Sequence, residues 1–101
     1  PIALGARIDA AGKDERRTRL AAALDALVAW TADLARVAAG APPQRLPGRA
    51  AALATLAPRV ARIALCRYHR AVLIQRARIA HPLQPRLVAE ALVADYRTLF
   101  A

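Results

Sequence analysis

The chain lacks several features on which catalytic, secreted and membrane proteins depend. It contains no serine, so it has no serine nucleophile, and its one cysteine, Cys66, excludes an internal disulfide and fits a reducing compartment. No apolar run reaches the ~18 residues that span a bilayer, and no signal peptide is recognisable. No GxxxxGK[ST] motif is present to hold a nucleotide phosphate chain. These absences predict a cytoplasmic protein segment without an enzyme's machinery.

Candidate ligands for a metal ion are equally scarce. His69 and His81 lie 12 positions apart, and the only nearby ligand type is Cys66, three residues before His69. Two ligands do not make a metal site. No acid is near enough in sequence to orient His69 as a base, and Glu90 and Asp95 fall on different faces of a helix. We therefore expect no catalytic residue, no cofactor and no metal in this segment.

Alternating runs rich in Val, Ile and Thr are also missing, so no sheet is predicted. Alanine is abundant instead, with 28 alanines among 101 residues, and the other side chains suit helices. A chain of this length makes one domain, 1–101. The predicted fold class is all-α, a single helical bundle of about five helices. Because the chain begins at Pro1 rather than Met, we expect it to be a fragment of a longer protein.

Prolines and glycines divide the chain into five predicted helices. Their ranges are 2–11, 14–39, 48–57, 59–80 and 84–100. Gly12 is predicted to end the first helix and Gly40 the second. The segment 40–48, with three prolines and two glycines, is the one clear loop. Pro58 either kinks the chain or starts the fourth helix.

The last predicted helix, 84–100, has a marked start and one apolar face. Pro85 suits the first helical position, with Gln84 at the N-cap, and Leu83 and Val88 have the spacing of a hydrophobic staple. The apolar face consists of Val88, Leu92, Tyr96 and Leu99, widened by Val93 and Phe100.

The largest apolar side chain, Trp30, lies close to Leu27 and Leu34 on the inner stripe of the second predicted helix. Its full burial would contribute roughly 3 kcal/mol or more. We expect a single core shared by Trp30, Leu65, Tyr68, Val72, Leu92 and Tyr96.

Positive charge is concentrated in the middle of the chain. The formal net charge is +9, from 15 arginines and one lysine against seven acids. Residues 34–89 hold ten arginines and no acid, whereas residues 1–33 sum to zero and residues 90–101 to −1. The middle must present a positive surface. This surface either binds nucleic acid, an acidic protein face or an anionic membrane, or is a solvated face without a partner.

The predicted helix 59–80 carries apolar residues on more than one face. Its main apolar face is formed by Leu65, Tyr68, Val72 and Ile79. Ile63 and Ile74 lie on the other side among arginines, a mixture that interfaces favour. Either another helix of the same domain covers these two isoleucines, or they belong to a docking surface. The predicted subunit-interface residues are Ile63, Arg67, Arg70, Ile74 and Arg78.

The end of the chain resembles a known family. Residues 81–100, HPLQPRLVAEALVADYRTLF, are similar to the end of the delta-prime subunit of the bacterial DNA polymerase III clamp loader. The matching residues are His81-Pro82-Leu83, Pro85, Arg86-Leu87, Glu90 and Tyr96-Arg97. Upstream, Trp30 with Asp33-Leu34 resembles the family's Trp-x-x-Asp-Leu pattern. Gln84 departs from the Asn usual in relatives, which weakens the N-cap. The resemblance covers about residues 14–100.

The resemblance implies a collar domain, the helical module that follows an AAA+-like module and its lid and holds the clamp-loader ring together. The implied partners are the gamma/tau and delta subunits, with at most a weak or indirect DNA contact and no membrane. The implied parent is a non-catalytic subunit of the DNA polymerase holoenzyme, in the assembly that uses ATP to load the sliding clamp on primed DNA.

Three alternatives remain open at this point. The chain is the collar domain of a sibling subunit, gamma/tau or delta; or an unrelated helical partner-binding domain; or a basic helical nucleic-acid-binding module. The last alternative lacks the aromatic residues interleaved with basic ones that single-strand binding uses, and no helix-turn-helix signature is recognisable.

Overall fold

In the part of the chain that the structure describes, alanine-rich segments form four α-helices. The computed structural model describes the backbone of residues 2–79 and 85–101, and the side chains of residues 12, 14–79 and 88–101. The helices are α1 (Ile2–Ala38), α2 (Ala50–Leu56), α3 (Arg62–Ala77) and α4 (Pro85–Thr98). Short 3₁₀ turns at Pro47–Arg49 and Ala57–Arg59 flank α2. The described backbone is mostly helical and contains no strand, so the all-α prediction is confirmed.

The two helices predicted at 2–11 and 14–39 are one continuous helix, and the predicted end at Gly12 is wrong. A glycine inside a helix costs only about 1 kcal/mol relative to alanine, which the helix-favouring residues on both sides offset. Gly40 does end the helix as predicted, because it adopts the left-handed conformation with φ 87°. The N–H groups of Gly40 and Ala41 donate to the carbonyls of Val37 and Arg36 at 3.0 and 2.8 Å, which is a Schellman cap.

The fourth predicted helix, 59–80, is shorter in the structure than predicted. It starts later and ends earlier. Pro58 lies within the second 3₁₀ turn, and Val60 and Ala61 are extended, with ψ angles of 137° and 130°. The chain therefore resumes helical geometry only at Arg62, as α3. The α3 helix ends at Ala77, followed by a turn.

The last helix begins at Pro85 as predicted and ends at Thr98. Leu92 is buried, and the other members of its predicted apolar face, Val88, Tyr96 and Leu99, pack around it. Val93 does not widen this face, since it is 47% exposed. The predicted staple and N-cap residues, Leu83 and Gln84, and the His81-Pro82 helix stop lie outside the described residues.

The core consists of two adjoining clusters rather than the single core predicted. The first cluster is buried between the C-terminal end of α1, the α2 region and the start of α3, and comprises Leu34, Leu53, Ala57, Val60 and Leu65. The second is buried between α1, α3 and α4, and comprises Leu24, Tyr68, Val72 and Leu92. The core divides because α1 is long enough for α2 and α4 to pack on different parts of it.

Trp30 and Leu99 join the two clusters. Leu99 packs against both, whereas half-buried Trp30 packs against the first and donates its Nε1–H to the hydroxyl of Tyr96 in the second, at 2.9 Å. Tyr96 in turn lies 5.8 Å from the Tyr68 ring and 5.1 Å from the Phe100 ring, measured between centroids. Trp30 therefore acts as a bridge between clusters rather than as the fully buried anchor that the sequence predicts.

Candidate subunit interface

The outer face of α3 carries apolar side chains that no other described element covers. Ile63 is 71% exposed, Leu73 44% and Ile74 42%, whereas Leu65 and Val72 on the inner face are fully buried. Helical periodicity places Ile63 and Ile74 opposite Leu65 and Val72, with Leu73 on the flank between the two faces. Within the described part of the chain, therefore, no other helix covers Ile63 and Ile74, contrary to the first of the two alternatives.

The arginines predicted for this face are exposed beside the isoleucines. Arg67, Arg70 and Arg78 are all exposed. The described part of the chain offers them no carboxylate, since its ion pairs are Arg19–Glu15, Arg36–Asp33 and Arg76–Asp25. Four of the residues predicted as interface residues, Ile63, Arg67, Arg70 and Ile74, thus lie along one exposed face of α3, which we call the outer face. The fifth, Arg78, lies just beyond the end of the helix.

An open pocket of about 300 Å³ lies at the N-terminal end of this outer face. Its walls come from Arg62, Ile63, Cys66, Arg67 and Arg70. Two of these, Arg62 and Cys66, are not among the predicted interface residues. The Arg62 side chain is fixed because its Nη2 donates to the carbonyl of Ala38 in α1, at 2.7 Å. The sequence signal for Cys66 is its helical spacing from Leu73, which places both beside the isoleucine stripe.

Besides the Arg62 contact, two further polar contacts hold α3 in place against α1. Arg76 Nε donates to Asp25 Oδ1 at 2.8 Å. Near the middle of the helix, Thr31 Oγ1 lies 2.6 Å from His69 Nδ1 and donates to the Leu27 carbonyl at 2.7 Å. Burial, followed by the positive charges of Arg45 and Arg36, lowers the pKa of His69. His69 therefore serves as a neutral contact between helices, and its inner-side position keeps it away from the outer face.

A buried carboxylate, Asp33, fixes the loop 40–48 against α1. Its Oδ1 accepts the backbone N–H of Gln44 at 3.0 Å and an Arg36 guanidinium N–H at 2.7 Å. Its Oδ2 accepts the backbone N–H groups of Arg45 and Leu46 at 3.0 and 2.6 Å. Burial alone would raise the pKa of Asp33, but the three backbone donors and the guanidinium outweigh it and lower the pKa to about 2.

Sequence reasoning assigned Asp33 to a family resemblance and did not find this role. The available signal is an acid between apolar helix positions, Trp30 and Leu34, shortly before a loop rich in proline and glycine. A carboxylate in such a stripe has to be buried, and a loop that cannot form its own hydrogen bonds supplies the donors.

Neither a cluster of metal ligands nor a membrane-spanning helix is present in the described part of the chain. No group of three or more His, Cys, Asp or Glu side chains converges there as a metal site would require. No helix among the described residues is both long enough and apolar enough to cross a bilayer.

Comparison with known proteins identifies no relative. No protein-family model, curated protein or solved structure matches the chain.

Proposed function

We propose that the chain is an oligomerisation domain, the collar domain of a delta-prime-type clamp-loader subunit. The observation that carries the proposal is the outer face of α3, where Ile63 and Ile74 are exposed between arginines that have no described carboxylate partner. The resemblance of residues 81–100 to the delta-prime subunit assigns the class of assembly.

A protein partner suits the outer face better than solvent does. Burial of the exposed isoleucines by a partner stabilises the complex, by about 25 cal/mol per Å² of apolar area removed from water. Interface centres are apolar and their arginines are enriched relative to lysines, as on this face. The inner face of α3 already closes the domain's own core, so the outer face is available for a neighbour.

The pattern of Trp30, Asp33 and Leu34 that resembles the family's motif has a physical meaning in this fold. Trp30 bridges the two core clusters, Asp33 fixes the loop after α1, and Leu34 is fully buried. The three positions therefore build the domain that carries the interface rather than the interface itself.

In the proposed assembly, an AAA+-like module and its lid precede this domain in a longer chain. The domain has no catalytic role, cofactor or metal, and the parent is a non-catalytic subunit of the DNA polymerase III holoenzyme. Its neighbours are the gamma/tau and delta subunits, and the ring loads the sliding clamp on primed DNA in the cytoplasm.

Reconstitution tests the proposal directly. The chain is mixed with purified gamma/tau and delta from the same bacterium and analysed by size-exclusion chromatography. We expect it to co-elute with them as a stable assembly. Co-elution with neither subunit would reject the proposal. In a second mixture with purified delta-prime, assembly with that subunit in place of gamma/tau or delta would identify the chain as a sibling collar.

A second candidate function is nucleic-acid binding, favoured by the acid-free stretch 34–89 and by exposed Arg67, Arg70 and Arg78. Phosphate neutralisation makes the affinity fall steeply with salt. A titration with single-stranded and duplex oligonucleotides at several salt concentrations separates this function from a collar role, for which we expect no such binding at physiological salt.

A further inference from the structure

The pocket at the end of the outer face has the dimensions of a site for one large apolar side chain. Its volume is about 300 Å³, and Ile63 and Cys66 form its apolar part. For comparison, a cavity of about 150 Å³ is enough to hold a benzene ring. The pocket is open to solvent, so an incoming side chain reaches it without any movement of the helices.

The pocket itself has an almost wholly apolar lining, but two of the arginines that border it have no partner for their guanidinium groups in the described part of the chain. Arg62 is engaged with the Ala38 carbonyl, but Arg67 and Arg70 make no hydrogen bond or ion pair with any described residue. Each guanidinium presents five N–H donors in a fixed planar arrangement. A partner that covers these groups without supplying acceptors would leave buried charges unpaired, which is strongly unfavourable.

The pocket continues into a straight stripe along the helix. Ile63, Arg67, Arg70 and Ile74 follow one another at i, i+4, i+7 and i+11, so they share one side of α3. At 1.5 Å per residue the stripe is about 16 Å long. A partner helix of about three turns, laid along α3, covers this length.

We infer that the outer face binds an acidic amphipathic helix of a neighbouring subunit. One large apolar side chain of that helix fills the pocket beside Ile63, and Asp or Glu residues on its flanks pair with Arg67 and Arg70 in bidentate geometry. The inference rests on the proposed docking role of this face and adds the chemistry of its partner. A phosphate backbone would satisfy the arginines but would leave Ile63 and Ile74 exposed.

Occupancy of the pocket can be measured through Cys66, because this residue lines the pocket and is the chain's only cysteine. Its rate of alkylation by N-ethylmaleimide reports whether the pocket is occupied. Two synthetic helical peptides with the same leucine stripe are compared, one flanked by glutamates and the other by lysines. We expect the glutamate peptide, near 90% occupancy, to slow alkylation of Cys66 about tenfold. The lysine peptide should leave the rate unchanged.

Charge-reversal variants test the two arginines. Arg67→Glu and Arg70→Glu should each weaken binding of the glutamate peptide about tenfold or more, since they place like charges together. Arg17→Glu makes the same charge change at an exposed position of α1 and should leave the affinity unchanged. Equal protection by both peptides, absence of protection, or protection only by a single-stranded oligonucleotide would overturn the inference.

The same alkylation assay separates this inference from the proposed function. If gamma/tau or delta protects Cys66 and the glutamate peptide does not, the acidic-helix inference fails and the docking role stands. If the glutamate peptide protects Cys66 and neither subunit binds the chain, the clamp-loader assignment fails and the partner chemistry stands.

Discussion

At the scale of single residues, Asp33 is the clearest case of a polar group that the fold requires. Its carboxylate is fully buried and accepts hydrogen bonds from three consecutive backbone N–H groups, those of Gln44, Arg45 and Leu46. The loop 40–48 contains prolines and cannot pair these donors by forming a helix. The one side chain therefore determines how the chain turns from α1 towards α2.

Replacing Asp33 by asparagine should destabilise the domain although the side chain keeps its size. The amide NH₂ would face backbone donors, which leaves at least one N–H group buried without an acceptor. We expect the melting temperature to fall by roughly 10 °C or more. Asp25→Asn is the matched control, because it removes a carboxylate from an exposed ion pair with Arg76 and should cost only a few degrees. Equal effects of the two variants would contradict the role assigned to Asp33.

The depressed pKa of Asp33 predicts how stability changes in acid. The pKa is about 2 in the folded protein against an ordinary value of 3.8, so the unfolded chain takes up the proton more readily. The contribution of Asp33 is complete above about pH 4 and is lost as the pH falls towards 2. Thermal melts between pH 5 and pH 2 should therefore show a smaller acid-induced fall for Asp33→Asn than for the parent. An equal fall in melting temperature with pH for the two proteins would contradict this role of Asp33.

The hydrogen bond between Trp30 and Tyr96 joins the two core clusters and can be tested without making a cavity. Tyr96→Phe removes only the hydroxyl that accepts the indole N–H, at 2.9 Å, and should lower the free energy of unfolding by about 1 kcal/mol. Trp30→Ala removes the whole bridge and should cost about 3 kcal/mol, enough to approach unfolding in a domain this small. Urea denaturation measures both. If Trp30→Ala melts within a few degrees of the parent, Trp30 does not hold the clusters together.

At the scale of secondary-structure elements, two glycines of similar sequence context have opposite roles. Gly12 lies within α1, where an added Cβ would meet only the end of the Arg16 side chain, at an ordinary 3.8 Å. Gly12→Ala should therefore stabilise the domain by up to about 1 kcal/mol. Gly40 has φ 87°, so Gly40→Ala should destabilise it by about 1 kcal/mol. Thermal denaturation of the two variants measures whether each change stabilises or destabilises the domain. Destabilisation by Gly12→Ala would support the predicted helix end at residue 12.

The elements were predictable where a local rule decides them. Gly40 and Pro85 mark a helix end and a helix start, and both predictions are confirmed. Gly12 misled the prediction because a glycine ends a helix only where the left-handed conformation forms, and sequence alone does not give φ. The start of α3 at Arg62 depends on a 3₁₀ turn around Pro58, for which the sequence left two alternatives open.

The candidate interface was predictable in part for a similar reason. Helical periodicity is enough to place Ile63 and Ile74 opposite Leu65, but periodicity does not say whether another helix covers them. Only the packed structure answers that, because it depends on contacts between distant parts of the chain. The loop contacts of Asp33 are a tertiary feature of the same kind, whereas the pocket beside Cys66 is lined by residues of α3 alone.

At the scale of the whole molecule, charge and packing divide the domain into two sides. Residues 34–89 carry ten arginines and no acid, and they include the whole of α3. The inner side of α3 packs on α1 and α4, whereas its outer face combines exposed isoleucines with arginines. A solvated helix needs no apolar residues on its exposed side, so this composition is the main argument for a docking role.

Ile74→Asp tests that docking role most directly when two quantities are measured on the same variant. The account predicts a melting temperature within a few degrees of the parent, because Ile74 is 42% exposed, together with association with gamma/tau and delta weakened by about 2 kcal/mol or more. Val93→Asp, which changes an exposed apolar residue of α4, is the control and should leave association unchanged. A sharp loss of melting temperature would place Ile74 in the domain's own core. A folded Ile74→Asp variant that assembles as tightly as the parent would contradict the proposal that the outer face of α3 binds a neighbouring subunit.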